Sequence, residues 1–391
     1  MGNKKTAVLD IQSDTITLVM QDKKFSDSFS FHDSRSYSGF QNGEFLNKDE
    51  LIGAVRSLID RCRKTTFSDP EEIMVGVPAE FTLATVAEKE VDFSLPRKVT
   101  EKDVDDLISE PPASNAEYTV ISAAPVWFIP DSGMAEITPY GITTTKLKCM
   151  MSYVYCVNSF IALFDKISEY AGVRFEYMSD MLSEVMYVVP EHMRDAGALV
   201  VDAGYISTGI AYAYGDGILG LKSFSMGKGH IAAELTMQAG IPYDIALKLV
   251  DKLNFNLHPV GGEKYFVTAD DGANKEYDIS KINEMAVAKV EDIARSIVTA
   301  AAAFPFALPD DAKIILTGSC FENMPGAKEI IERVTGREVE KAVPDIVPFN
   351  RPGYAALAGL INAQRKKITR REGAMGFINT IKDKLLRRLG K

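Results

Sequence analysis

Short apolar runs broken by polar turns dominate the chain. Residues 7–20 read AVLDIQSDTITLVM: an apolar run, an Asp, a polar Gln-Ser-Asp turn and a second run. Alternation with β-branched residues predicts strands, and 6–32 reads as three in succession. Residues 199–217, LVVDAGYISTGIAYAYGDG, repeat the strand–Asp–turn–strand scheme about half a chain later. Helical spacing appears at Leu51, Ile52, Val55, Leu58 and Ile59 within 48–64. Thr100 with Asp103 reads as an approximate capping box opening a short helix. Strands are predicted over 118–129 and 143–157, and an amphipathic helix over 158–173 closes at Gly172. A glycine-rich entry to a helix follows at 227–240, then a short helix at 242–255 and a turn-rich hairpin at 258–279. A long helix covers 280–304, with Ser280 as the expected cap. Residues 312–336 read as strand, glycine turn and helix, and 351–367 as the last helix of the body. The two halves share strand–turn–strand–helix logic, which implies an internal duplication.

Composition narrows the class. The chain has 391 residues, 46% hydrophobic and 25% charged, as expected of a globular protein with two or more subdomains. Cys62, Cys149, Cys156 and Cys320 show no Cys-x-x-Cys spacing, so reduced thiols are expected. The four histidines are scattered and suggest no metal site. No secretion signal is read at the start, and no apolar run approaches the ~20 residues of a spanning helix. The net charge of −10 is unevenly placed: ten basic and two acidic residues fall in 365–391, leaving 34 basic against 52 acidic elsewhere. A basic end on an acidic body points to an anionic partner.

Three turns carry the candidate chemistry: Asp-Ile-Gln-Ser at Asp10, Asp-Ala-Gly at Asp202, and Thr-Gly-Ser at Gly318. Such turns present backbone N–H groups and small hydroxyls to phosphate oxygens. Asp10 and Asp202 suit the water shell of a hydrated Mg²⁺. Their order resembles the actin-like ATPase superfamily, and within it the bacterial cell-division protein FtsA. The resemblance rests on 7–19, on 99–151, on 199–219 with 223–236, on 313–344, and on GFINTIKDKLLRRLGK at the end.

The resemblance implies an α/β fold: a duplicated actin-like (ribonuclease H-like) architecture with two inserted subdomains and a C-terminal amphipathic helix. Its parts would be subdomain 1A (1–74 with 151–195), an SHS2-like insert 1C (75–150), subdomain 2A (196–239 with 283–364), 2B (240–282), a linker (365–375) and a membrane helix (376–391). It also implies ATP and Mg²⁺ between the halves. The nucleotide would be held by Asp10, Gln12, Ser13, Asp202, Gly204, Ser207, Thr208, Gly227, Gly229, Gly318 and Ser319, and the metal, through water, by Asp10 and Asp202. The chain departs from that pattern. Gln12 stands where the family usually has Gly, Tyr205 and Ile206 replace two glycines, and Leu247 and Val250 stand where Glu and Lys commonly meet the ribose. A side chain at Gln12 would crowd a phosphate. ATP bound in an unusual mode, or no ATP, both stay open.

At about 100° per residue, Phe377, Ile378, Ile381, Leu385, Leu386 and Leu389 gather on one side of the final helix. Lys382 and Arg388 lie beside them, placed to snorkel to head groups. Six large apolar residues fit a nucleic acid poorly, so none is expected. One such tail binds an anionic membrane weakly, and a row of tails on a filament binds firmly. The resemblance therefore implies a peripheral adaptor on the cytoplasmic face of the cell membrane at the division site. It would form head-to-tail actin-like filaments, tether FtsZ through its C-terminal peptide, and recruit downstream division proteins. Lys248 and Arg295 are the candidates for pairing with that acidic peptide. The alternatives are a PilM-like scaffold of type IV pilus assembly, or a kinase or chaperone of the same superfamily. The altered phosphate turns allow a weak ATPase at most.

Overall fold

Alternation along the first strand places two faces in two different cores. In the computed structural model, which describes residues 5–21, 28–108 and 112–371, β1 (Lys5–Ile11) sends Ala7, Leu9 and Ile11 into one core and Val8 into another. β2 (Thr15–Gln21) and β3 (Phe29–Ser36) complete an antiparallel meander. A small hairpin, β4 (Phe40–Gln41) and β5 (Glu44–Phe45), leads into α1 (Lys48–Thr66). β6 (Pro70–Val77) then returns parallel to β1.

An insertion follows: β7 (Thr82–Lys98), α2 (Glu101–Ile108), β8 (Tyr118–Pro130) and β9 (Thr143–Val157) form a three-stranded sheet covered by a helix. The expected capping box is present, with Thr100 N–H donating to Asp103 Oδ2 at 2.8 Å. The apolar pattern did not predict β7. Its solvent face is acidic and is held across the sheet by ion pairs, Lys148 with Glu88 at 2.6 Å and Lys146 with Glu90 at 2.8 Å. β7 and β9 pair from Thr82–Cys156 onward, while Val75 lies in the sheet of β1. The sheet of the insertion thus spans from the start of β7 at Thr82 to the end of β9 at Val157. Ser152 Oγ bonds both the N–H and the C=O of Ile218, so the insertion is also stitched to the second half.

The first half closes with α3 (Asn158–Ala171), β10 (Arg174–Ser179) and α4 (Asp180–Tyr187), and α5 (Glu191–Ala196) leads out. The second half repeats the plan. β11 (Ala198–Ala203), β12 (Thr208–Tyr214) and β13 (Gly217–Phe224) form the meander. α6 (Lys228–Ala239), α7 (Tyr243–Val250) and the hairpin β14 (Lys264–Thr268)–β15 (Asn274–Asp278) precede α8 (Ile279–Ala302). β16 (Ile314–Thr317), α9 (Ala327–Thr335), β17 (Val339–Lys341) and α10 (Ala355–Arg371) complete it. The sheets run β3-β2-β1-β6-β10 and β13-β12-β11-β16-β17, the same topology twice. That is the expected duplication.

Two details differ from expectation. Asp278, not Ser280, caps α8: its carboxylate accepts from Lys281 N–H at 3.0 Å. The linker read at 365–375 is helical as far as Arg371, because α10 continues through it. The membrane-helix residues Phe377, Ile378, Ile381, Lys382, Leu385, Leu386, Arg388 and Leu389 lie outside the described residues. Among the described residues no helix is long and apolar enough to cross a membrane, and all four cysteines are buried thiols outside any disulfide.

α4 and α10 cross between the two sheets, with Met181, Leu182, Val185, Leu357 and Ile361 filling the core there. Gly359 permits the crossing, since a Cβ on it would lie 2.7 Å from the backbone of Ser183.

Candidate functional site

The seam between the halves is acidic. Asp10 lies on the same strand face as Val8, and Asp202 on the same face as Val200, so the two-residue period turns both carboxyls toward the crossing helices. Asp10 pairs across its hairpin with Thr17, and Asp202 with Gly209. The helix α4 supplies two more groups that the sequence reading missed. Asp180 opens the helix, and Glu184 lies one turn on, 0% exposed and accepting from Thr317 Oγ1 at 2.6 Å. Asp10 Oδ1, Asp180 Oδ1 and Glu184 Oε1 have no hydrogen-bond partner. Burial drives all four carboxyls toward the protonated form. Asp10 is pushed up to about 7, with Asp202 and Asp14 adding repulsion. Asp202 is pushed up to about 6 by burial. Asp180 and Glu184 rise well above the usual carboxylate range, burial first and the neighbouring carboxylates second.

The turns meet each other directly across the seam. Gln12 Nε2 donates to Asp10 Oδ2 at 3.0 Å and to Gly353 C=O at 2.9 Å. Ser13 Oγ accepts from Ile206 N–H at 2.9 Å. The backbone donors of the turns are also engaged. Gln12 N–H goes to Thr15 C=O at 2.9 Å and Gly204 N–H to Ser207 C=O at 2.9 Å. Lys228 and Gly229 donate to Gly204 and Tyr205 carbonyls at 3.1 and 2.8 Å, and Gly318 donates to Pro352 at 3.0 Å.

A cavity of about 50 Å³ remains, lined among others by Asp10, Gln12, Ser13, Asp180, Asp202, Gly204, Ser207, Gly318 and Ser319. Thr208, Gly227 and Gly229 do not line it; Thr208 Oγ1 donates to Met226 C=O at 2.7 Å instead. A second, open cavity of about 380 Å³ lies outside, touched by Tyr205, Lys228, Leu247 and Arg351. Gln12, Ser319 and Gly353 line both and stand as the wall between them. Val250, 2% exposed, packs in the core rather than at either cavity.

No protein-family model matches the chain, and no curated protein matches it. Solved structures do. The PilM–PilN type IV pilus biogenesis complex aligns with a TM-score of 0.57 at 12% identity, over 91% of this chain and 97% of that one. MreB5 of Spiroplasma citri bound to ADP gives 0.54 at 8% identity, over 94% and 99%. The ethanolamine utilization protein EutJ from Carboxydothermus hydrogenoformans gives 0.51 at 13%, over 92% and 90%. This is the actin-like ATPase fold.

The seam of this actin-like fold is narrow between the turns. Small-molecule sites typically occupy about 300–1,000 Å³; the space between the turns is about 50 Å³, and the open cavity on the far side of Gln12 is about 380 Å³. Among the described residues no group of three or more His, Cys, Asp or Glu is arranged to hold a metal ion. Nor do the turns offer free donors for phosphate oxygens at the positions described above.

Gly318 shows how tight the seam is. Its φ is +82°, and a Cβ would lie 2.3 Å from Ala203 O and 2.4 Å from Asp202 Oδ1. Gly318→Ala is expected to cost about 2–4 kcal/mol from backbone strain and overlap together, read as a lower urea midpoint with an unchanged slope.

The two residues proposed to meet an acidic peptide are already engaged within the chain. Lys248 Nζ holds Asp270 at 2.5 Å and Thr268 C=O at 3.1 Å, and Arg295 holds Asp292 at 2.7 Å. Both pairs are surface-exposed and exchangeable.

Proposed function

We propose that the chain is an actin-fold scaffold of bacterial cell division, working in the manner of FtsA on the cytoplasmic face of the cell membrane. The observation that carries this reading is an acidic actin-like body whose last helix, α10, runs to Arg371 and leads into the basic, apolar segment 377–389. An anionic leaflet repels the body, so the tail must supply the attraction, at about 1 kcal/mol per basic residue near the surface plus apolar burial. The body would assemble head to tail and so gather many weak tails into one firm attachment. The FtsZ C-terminal peptide would dock on the subdomain of α7 and the β14–β15 hairpin, where Phe266 and Val260 are exposed. The insertion of β7–β9 would meet neighbouring copies and downstream division proteins.

The likeness to the PilM–PilN complex supports a second reading, a scaffold that binds a short tail of a pilus protein. An anchor of its own would be redundant there, which favours division. The nucleotide-bound neighbours support ATP as a ligand of the fold, while the filled seam opposes it in this chain and with it kinase or chaperone activity.

Flotation with vesicles containing anionic lipid tests the anchor. The full chain is expected to float and a truncation after Arg371 to stay at the bottom; equal flotation removes the reading. Capture on a synthetic FtsZ tail, with a pilus-protein tail as the control, separates division from pilus assembly.

A further inference from the structure

We propose that Gln12 and Ser13 form an internal latch that occupies the place of nucleotide phosphates and holds the two halves closed with no nucleotide bound. The latch operates whether the scaffold serves division or pilus assembly.

Its first bond leaves one half and enters the other. Gln12 sits on the β1–β2 turn, and its amide donates to the carbonyl of Gly353, on the loop that leads into α10. Gly353 is itself fixed from the second half, since its N–H donates to Glu322 Oε2 at 3.1 Å and Arg351 holds the same carboxylate at 3.2 Å. The second bond runs the opposite way, from Ile206 N–H on the β11–β12 turn to Ser13 Oγ, with Ser13 only 4% exposed.

Both turns are braced from behind. Tyr37 Oη donates to Gln12 C=O at 2.8 Å, and Tyr37 N–H to Asp14 C=O at 3.1 Å. Gly39, at φ +86°, lies so close that a Cβ would overlap Ser13 O at 2.0 Å. On the facing side the Tyr205 hydroxyl bonds Tyr243 Oη at 2.7 Å, which ties the second turn to α7. Gly229 allows that ring to lie over the start of α6, since a Cβ there would be 3.2 Å from it. Gln12 and Tyr205 are thus structural members: one carries a cross-half bond and the other anchors its partner turn. A glycine at either place would leave a gap where these contacts stand.

The consequence is a scaffold with no nucleotide-driven opening and closing. Control of its assembly then falls to partners, to the membrane or to protein level.

The test uses the full chain. Calorimetric titration with MgATP and MgADP at millimolar concentration is expected to show no binding, and neither ligand is expected to shift the melting temperature. Hydrogen–deuterium exchange resolves the Ile206 amide. It should be equally protected with and without MgATP. In Ser13→Ala it should exchange roughly 3- to 10-fold faster, with the amides inside β11 unchanged. Saturable MgATP binding, a ligand-raised melting temperature, or an Ile206 amide indifferent to Ser13→Ala each overturns the latch. The wild-type titration decides even if a variant fails to fold.

Discussion

Arg194→Ala is expected to destabilise the protein by about 3–5 kcal/mol, the largest single effect among its polar groups. Arg194 is 3% exposed and Asp216 2%, and the guanidinium holds the carboxylate at 2.9 Å. Its other terminal nitrogen donates to the carbonyls of Val185, Met186 and Val189 at 3.2, 3.4 and 3.1 Å. Those are open carbonyls at and just beyond the C-terminal end of α4, which helix geometry leaves without internal donors. Truncation removes the cation from a buried carboxylate and uncaps the helix that carries Asp180 and Glu184 to the seam. Urea unfolding measures the loss. The double variant Arg194→Met/Asp216→Leu should lose much less than the single one, because no uncompensated charge is left inside. A single-variant loss below about 1 kcal/mol would show that the pair is dispensable.

The second large effect concerns pH. A carboxyl with a folded-state value above its unfolded value binds more protons folded than unfolded. Stability then falls as pH rises between the two values. For Asp10 that window runs from 3.8 to about 7, worth about 4 kcal/mol in full at 1.36 kcal/mol per unit. Asp202, raised to about 6, acts in the same direction, as do Asp180 and Glu184. Asp10→Asn keeps an oxygen to accept from Gln12 Nε2 and removes the titration. Its melting temperature is expected to exceed that of the unmodified chain by roughly 5 °C at pH 8 and to match it near pH 4. Parallel melting profiles between pH 4 and 8 would refute the assignment.

Much of this architecture was legible in advance. Asp10 and Asp202 could be paired across half a chain because each interrupts an apolar run in front of a polar turn. The helix of Leu51, Val55 and Leu58 was readable from its spacing, and all three are fully buried. Asp180 and Glu184 escaped notice for a physical reason. Carboxylates four apart on a helix usually mark a wet face, and only the crossing of α4 with α10 makes that face an interior one. β7 was hidden because it is held by a backbone ladder to the distant strand β9 and, of its own side chains, only Phe93 is buried.

Part of the local order was set by the sequence alone: where the strands around Asp10 and Asp202 end and turn, the cap formed by Thr100 with Asp103, and that the plan occurs twice. Those properties depend on neighbours within a turn or two, through periodicity and capping. Whether the seam has room for a ligand was decided only by the tertiary structure. Gln12 meets Gly353, and Ser13 meets Ile206, across hundreds of residues of chain. A turn's own sequence cannot say whether its side chains face a phosphate or each other, because that depends on how closely the two halves pack.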